Sequence, residues 1–176
     1  MGRSTNSAVR QDAAPAVSER QQSRVAKRAA AAKPAVKSEP IELPQDIDSS
    51  TAFQLIAASI FRQVGANEAA VRSANPQGVH QMRIGLRRMR AAISVFAQLV
   101  DDPETTRLKQ ELRWLTGRLG PARDLHLLAL RLRRARGAAP ERQKRLQVVE
   151  TMRNEALATA IAALATDRYR KLQTDV

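Results

Sequence analysis

The chain of 176 residues contains no cysteine, which excludes disulfides and thiolate metal sites. Aromatic residues are scarce: one Trp, one Tyr and three Phe. That is too few for the stacking platform on which proteins hold single-stranded nucleic acid regardless of sequence. Two histidines and no cluster of carboxylates leave little to ligate a metal, so no metal site is expected. No apolar run approaches the ~18 residues of a membrane span, and the start lacks an apolar core followed by a small-residue cleavage site. Neither a membrane-embedded nor a secreted protein is expected. A glycine-rich phosphate loop is missing too, and Gly117 and Gly120 read as packing and turn residues. Phosphoryl transfer needs acids that hold a metal, or an activated nucleophile. The basic segments offer neither, so the expectation is a protein that is not an enzyme and needs no cofactor.

Positive charge, by contrast, is abundant. The formal net charge is +13 and it is unevenly spread. Residues 80–136 carry 13 basic and 5 acidic side chains, an excess of +8. The largest surplus therefore sits in the core-bearing region and predicts an anionic partner. Residues 1–40 add +5 in a segment rich in Ala, Ser, Gln, Arg and Lys, with prolines at 15, 34, 40 and 44 around it. Such a segment buries too little apolar surface to offset its ordering entropy. Residues 1–45 are expected to form a disordered basic tail, with transient helix near 20–32. The tail has the character of nucleic-acid-binding tails. Asp12 and Glu19 argue against an organellar targeting peptide.

Residues 46–176 show apolar periodicity of the helical kind throughout. A first helix is expected from Ser49 or Ser50, as cap, to about Val71, followed by a turn over 73–78. A second helix runs over 79–100 and stops at Asp101-Asp102-Pro103, with Asp102 capping a third. The third covers 103–119, Gly120-Pro121 breaks the chain, and a fourth covers 122–136. A fifth runs over 140–172 with a break near Thr166-Asp167. The predicted fold is all-α, a helical bundle with no convincing strand.

The second helix is the most informative segment. Between Val79 and Arg90 it holds four arginines and a histidine with no acid. At ~3.6 residues per turn, His80, Arg83, Arg87 and Arg90 share one stripe. Met82, Leu86, Met89, Ile93, Phe96 and Val100 form another, which buries the helix. Like charges at i,i+4 repel by a few tenths of a kcal/mol, and Arg83 and Arg87 are such a pair with nothing nearby to neutralise them. Ile84, Ala91 and Val95 lie on the other side of the stripe, which implies a groove. A solvated face is the bland alternative. On the third helix Lys109 and Arg113 repeat the unpaired pattern beside Thr106 and Thr116. Arg107, Glu111 and Arg118 lie together and are expected to pair. The cluster Arg131, Arg133, Arg134 and Arg136 suits a helix C-terminus.

The segments Val79-His80-Gln81-Met82-Arg83, Arg87-Arg88-Met89-Arg90, Glu111-Leu112-Arg113-Trp114-Leu115 and Leu119-Gly120-Pro121-Ala122-Arg123-Asp124-Leu125 closely resemble the first half of a CHAD domain. The similarity begins near Ile47 and extends to Tyr169, and the order and spacing of the motifs make it specific. The resemblance implies a helical bundle that binds inorganic polyphosphate through basic residues lining a groove. It implies His80, Arg83, Arg87, Arg90, Lys109, Arg113 and Arg123 as contacts. Arg88 ranks below them, a quarter-turn away, and Arg123 has a competing partner in Asp124. His80 has a second reading as a core histidine that caps the second helix. The family normally has two helical halves and often accompanies a triphosphate-hydrolysing CYTH domain. This chain lacks a second half and a recognisable CYTH domain, so it reads as a truncated domain or as one that pairs with a copy of itself. A lone half is expected to expose Phe96, Leu108, Leu112 and Leu115 and to form a homodimer. His126 stands where the family more often has an acid and reads as a surface or packing histidine. Partners expected are polyphosphate and, through the tail, nucleic acid. The expected location is the cytoplasm, at polyphosphate granules.

Overall fold

The computed structural model describes residues 32–135 and 139–174. Among them helices follow one another and no strand occurs: α1 Ser49–Ala66, α2 Glu68–Arg72, α3 Pro76–Val95, α4 Pro103–Arg134, α5 Ala139–Leu164 and α6 Asp167–Thr174. One core joins them. Ile60 and Val64 of α1, Met82, Leu86 and Ile93 of α3, and Leu112, Leu115 and Leu119 of α4 are all at most 1% exposed. Leu164 and Tyr169 close it from α5 and α6. The apolar stripe read from the second helix is thus the buried one, except at its end: α3 stops at Val95, and Phe96 packs obliquely on Phe53 with ring centroids 5.4 Å apart.

The helix starts follow local hydrogen-bond chemistry. Asp48, not a serine, caps α1: its carboxylate accepts from the backbone N–H groups of Ser50 (3.0 Å) and Thr51 (2.9 Å). Asp102 caps α4 as expected, accepting from Thr105 N–H at 2.6 Å, with Pro103 in the first turn. Asn75 caps α3, so that helix starts three residues before the expected Val79. The first expected helix divides at Asn67, whose buried side chain donates to Gln63 O and to Val36 O, both at 2.8 Å. Thr166 separates α5 from α6, accepting from Tyr169 N–H at 3.2 Å.

Pro121 does not break the chain. A single helix passes through Gly120 and Pro121, where two had been expected. An interior proline costs about 3 kcal/mol because it removes one hydrogen bond and crowds the carbonyl four residues earlier. Here that carbonyl belongs to Gly117, an exposed residue on the solvent side of the helix. Pro121 itself lies on the exposed side. The opposite side buries Leu112, Leu115, Leu119 and Ala122. At roughly 1.5–3 kcal/mol for each large apolar side chain, that packing outweighs the proline.

Two further expectations are corrected. Leu112 and Leu115 are 0% exposed and Leu108 packs on the same core, so they do not form an uncovered partner face. The chain's own α5 lies along α4, and that removes the argument for a homodimer built on this seam. Glu111 takes a partner from outside α4: Arg168 of α6 grips both its oxygens, at 2.5 and 3.1 Å, while lying 4.4 Å over the Trp114 ring. The expected tail falls mostly outside the described residues. Its end has no helix, yet Lys33 and Val36 are held by backbone hydrogen bonds to the side chains of Ser73, Asn75 and Asn67.

The α2–α3 turn generates two stability predictions. A Cβ on Gly78 would come within 2.6 Å of Ala70 Cβ and 2.9 Å of its backbone, where nothing can swing aside. Gly78→Ala should cost about 1–3 kcal/mol, read as a lower denaturation midpoint. Ala74 has a φ of 64°, and Ala74 and Asn75 N–H groups bond back to Val71 and Ala70 carbonyls in a Schellman arrangement. Ala74→Gly should raise stability by up to about 1 kcal/mol in the same titration.

Candidate anion-binding seam

Arg90 lies by Lys109 and Arg113 while Arg83 meets Thr116 and Gly120, so numbering rises along α3 as it falls along α4 and the two helices run antiparallel. Arg90 faces Lys109 and Arg113 across a cleft of about 230 Å³, with Ile93, Ser94 and Ala97 as its remaining lining. About two turns back along α3, Arg83 Nη1 donates to Thr116 O at 3.3 Å. The Arg83 guanidinium also lies over Gly120, where an added Cβ would come within 3.0 Å of Nη1. Further on, Arg123 acts electrostatically on both His80 and Arg83. Arg83, Arg90, Lys109 and Arg113 therefore line one seam between α3 and α4, and Arg87 and Arg123 act electrostatically on His80 toward the Arg123 end of it. Arg87, Arg90 and Arg113 are exposed, and His80, Arg83, Lys109 and Arg123 are half-buried.

Arg88 belongs elsewhere. It donates to Gln63 Oε1 at 3.1 Å, and Gln63 donates to Gln81, so it closes a polar contact between α1 and α3. His80 lies inside α3, so capping falls to Asn75 and not to this histidine. The expected second wall is also missing. Ala91 and Val95 are exposed, Val95 at 79%, which leaves an open seam walled by α4 on one side.

The seam is electrostatically unbalanced. Among the described residues, ion pairs join Arg72 to Glu68, Arg133 to Glu150, Lys144 to Glu141, Arg168 to Glu111 and Arg170 to Asp167. None of them involves a seam cation. Burial, then Arg123, Arg87 and Arg83, hold the His80 imidazole below its ordinary pKa. Burial and Arg83 likewise lower Arg123, which Asp124 only partly offsets. Thr116 Oγ1, in the middle of the seam, is buried without a hydrogen-bond partner among the described residues. Chemically the seam offers planar guanidinium forks, one mobile ammonium and one imidazole, spread along a line. Such forks grip phosphate oxygens in pairs. Sequence reading did not single out Gly120 as the residue that lets Arg83 lie flat on α4.

Fold and seam together define an all-helical bundle with a cationic strip between two antiparallel helices. The chain matches the family model of the CHAD domain over residues 55–176 and belongs to that family. The crystal structure of the CHAD domain from the plant Ricinus communis is similar, with a TM-score of 0.73 and 28% sequence identity. The match covers 80% of this chain and 48% of that one, so this chain spans about half of that structure. No curated protein matches.

Both histidines have a folded-state pKa below the ordinary 6.5. The unfolded chain therefore binds more protons than the folded one as pH falls through that value. Their contribution to stability should be fully present above about pH 7 and decline as pH falls below 6.5. Melting temperature against pH should show this slope, and His80→Asn should flatten part of it.

Proposed function

We propose that the chain binds inorganic polyphosphate along the α3–α4 seam and does no chemistry on it. The observation that supports this is the alignment of six cations and His80 with no carboxylate paired to any of them among the described residues. Polyphosphate carries a negative charge on every unit, so a linear anion meets a linear cation strip. Arg83 is pre-positioned by Thr116 O and Gly120. Arg87, Arg90 and Arg113 have exposed guanidiniums free to bridge phosphate oxygens. Bound phosphate favours the imidazolium of His80, so binding should take up a proton near neutral pH. Among the described residues the seam supplies cations but no carboxylate placed as a base, which favours a holding role. Among the described residues no helix is long and apolar enough to cross a membrane. The location proposed with this role is the cytoplasm, at polyphosphate deposits.

Calorimetry with long-chain polyphosphate, tripolyphosphate and duplex DNA at matched ionic strength tests the reading. Long chains should bind best, because they fill the strip and offer overlapping registers. Affinity should fall steeply with salt as counterions are released. Arg83→Glu with Arg87→Glu should lower long-chain affinity by at least about a hundredfold, since two charge-assisted contacts are replaced by repulsion. Unchanged binding by that variant, or equal affinity for tripolyphosphate and long chains, defeats the proposal. Preference for DNA would transfer the seam to nucleic-acid binding.

A further inference from the structure

Residues 32–48 contain no helix, yet they are held in a definite place. Asn67, 0% exposed, grips the Val36 backbone twice: Val36 N–H donates to Asn67 Oδ1 at 2.9 Å, and Asn67 Nδ2 donates to Val36 O at 2.8 Å. Three residues earlier, Lys33 N–H donates to Ser73 Oγ at 2.9 Å, and Lys33 O accepts from Asn75 Nδ2 at 2.8 Å. All four bonds go to the backbone of this strap, so they fix its path and leave the Lys33 and Lys37 side chains exposed. The family match begins at residue 55, so the strap lies outside the part that defines the family.

The path carries the chain from one end of the bundle to the other. Helices α1 and α3 run antiparallel: Phe53 near the start of α1 packs on Phe96 just past the end of α3, and Gln63 near the end of α1 bonds Gln81 near the start of α3. A chain departing directly at Asp48 would leave at the Phe96 end, where Arg90 lies. The strap instead runs back the length of α1, whose 18 residues span about 27 Å. From Asp48 to Val36 it can reach about 40 Å when extended. It then crosses from Asn67, where α1 ends, to Ser73 and Asn75, where α3 begins. His80 stands five residues beyond Asn75, about 7.5 Å along the α3 axis. The segment preceding Lys33 therefore sets out at the His80 end of the seam, heading away from α1.

That segment is basic. Residues 20–31, outside the described ones, hold Arg20, Arg24, Lys27 and Arg28 and no acid. Like charge keeps them out of the empty seam, where no described carboxylate is paired to a cation. A bound polyanion removes that repulsion and leaves the seam with phosphates still unpaired. We propose that the strap delivers the tail to the His80 end of the seam, where Arg20, Arg24, Lys27 and Arg28 bind the polyphosphate that emerges from it. This rests on the seam reading above and adds a second binding segment tethered to the first, whose effective concentration the short tether sets. A ligand short enough to lie within the seam gains nothing from the tail.

Two full-length variants separate charge from placement. Replacing Arg20, Arg24, Lys27 and Arg28 together by Gln removes the charges and keeps the strap. Val36→Pro with Ser73→Ala and Asn75→Asp keeps every tail cation but removes a strap donor, a bundle acceptor and a bundle donor. Asp at 75 still caps α3. Calorimetry should show each variant binding long-chain polyphosphate about tenfold more weakly and tripolyphosphate like the wild type. The glutamine variant should also show a shallower salt dependence with long chains. Unchanged tripolyphosphate affinity shows an intact seam, which a general loss of structure would not leave. Wild-type long-chain affinity in the glutamine variant overturns the tail's part and leaves the seam standing. Loss in the glutamine variant alone overturns delivery by the strap. Long-chain binding abolished by the glutamine variant yet untouched by Arg83→Glu with Arg87→Glu overturns the seam reading and the joint site with it.

Discussion

Mutual repulsion among the seam cations has to be held in check by the packing beneath them. Arg83, Arg87 and Arg123 each act on the same imidazole, and each exposed like-charge pair costs a few tenths of a kcal/mol. Directly underneath, Met82, Leu86, Met89 and Ile93 of α3 meet Leu112, Leu115 and Leu119 of α4, all at most 1% exposed. Each buried side chain of that size contributes about 1.5–3 kcal/mol. Apolar burial therefore exceeds the repulsion by a wide margin. The bundle can hold its cations together with no anion present, and the unrelieved repulsion is what a polyanion would remove.

Continuity of α4 serves the same end. From Lys109 to Arg123 the helix advances about 21 Å at ~1.5 Å per residue, and every seam residue on that side rides on one rod. A break at Gly120-Pro121 would have separated Arg123 from Lys109 and Arg113. The glycine also has a local task, because any side chain there would push on the Arg83 guanidinium. Helix continuity and arginine placement thus meet at one dipeptide.

Much of the candidate site is legible in the amino-acid sequence. Spacing alone put His80, Arg83, Arg87 and Arg90 on one stripe and Lys109 with Arg113 on another, because helix geometry is local. The motif order pointed to the CHAD family, and the family match supports that reading. Other features were out of reach. Arg168 sits 57 residues from Glu111, so their pairing has no local signal. The grip of Arg72 on the Leu164 carbonyl at the end of α5 spans 92 residues. The expected exposure of Leu112 and Leu115 failed because α5 returns along α4 and covers them, and periodicity does not say which element will cover a stripe.

The amino-acid sequence by itself determined the all-helical class, the apolar stripes, the charge surplus and the residues of each basic row, since these follow from spacing within single segments. Tertiary structure alone decided that the two rows face each other and that Pro121 leaves α4 whole. Those outcomes depend on free energy gained between segments far apart in the chain. Burial of the α4 core face outweighs the preference of a proline for ending a helix.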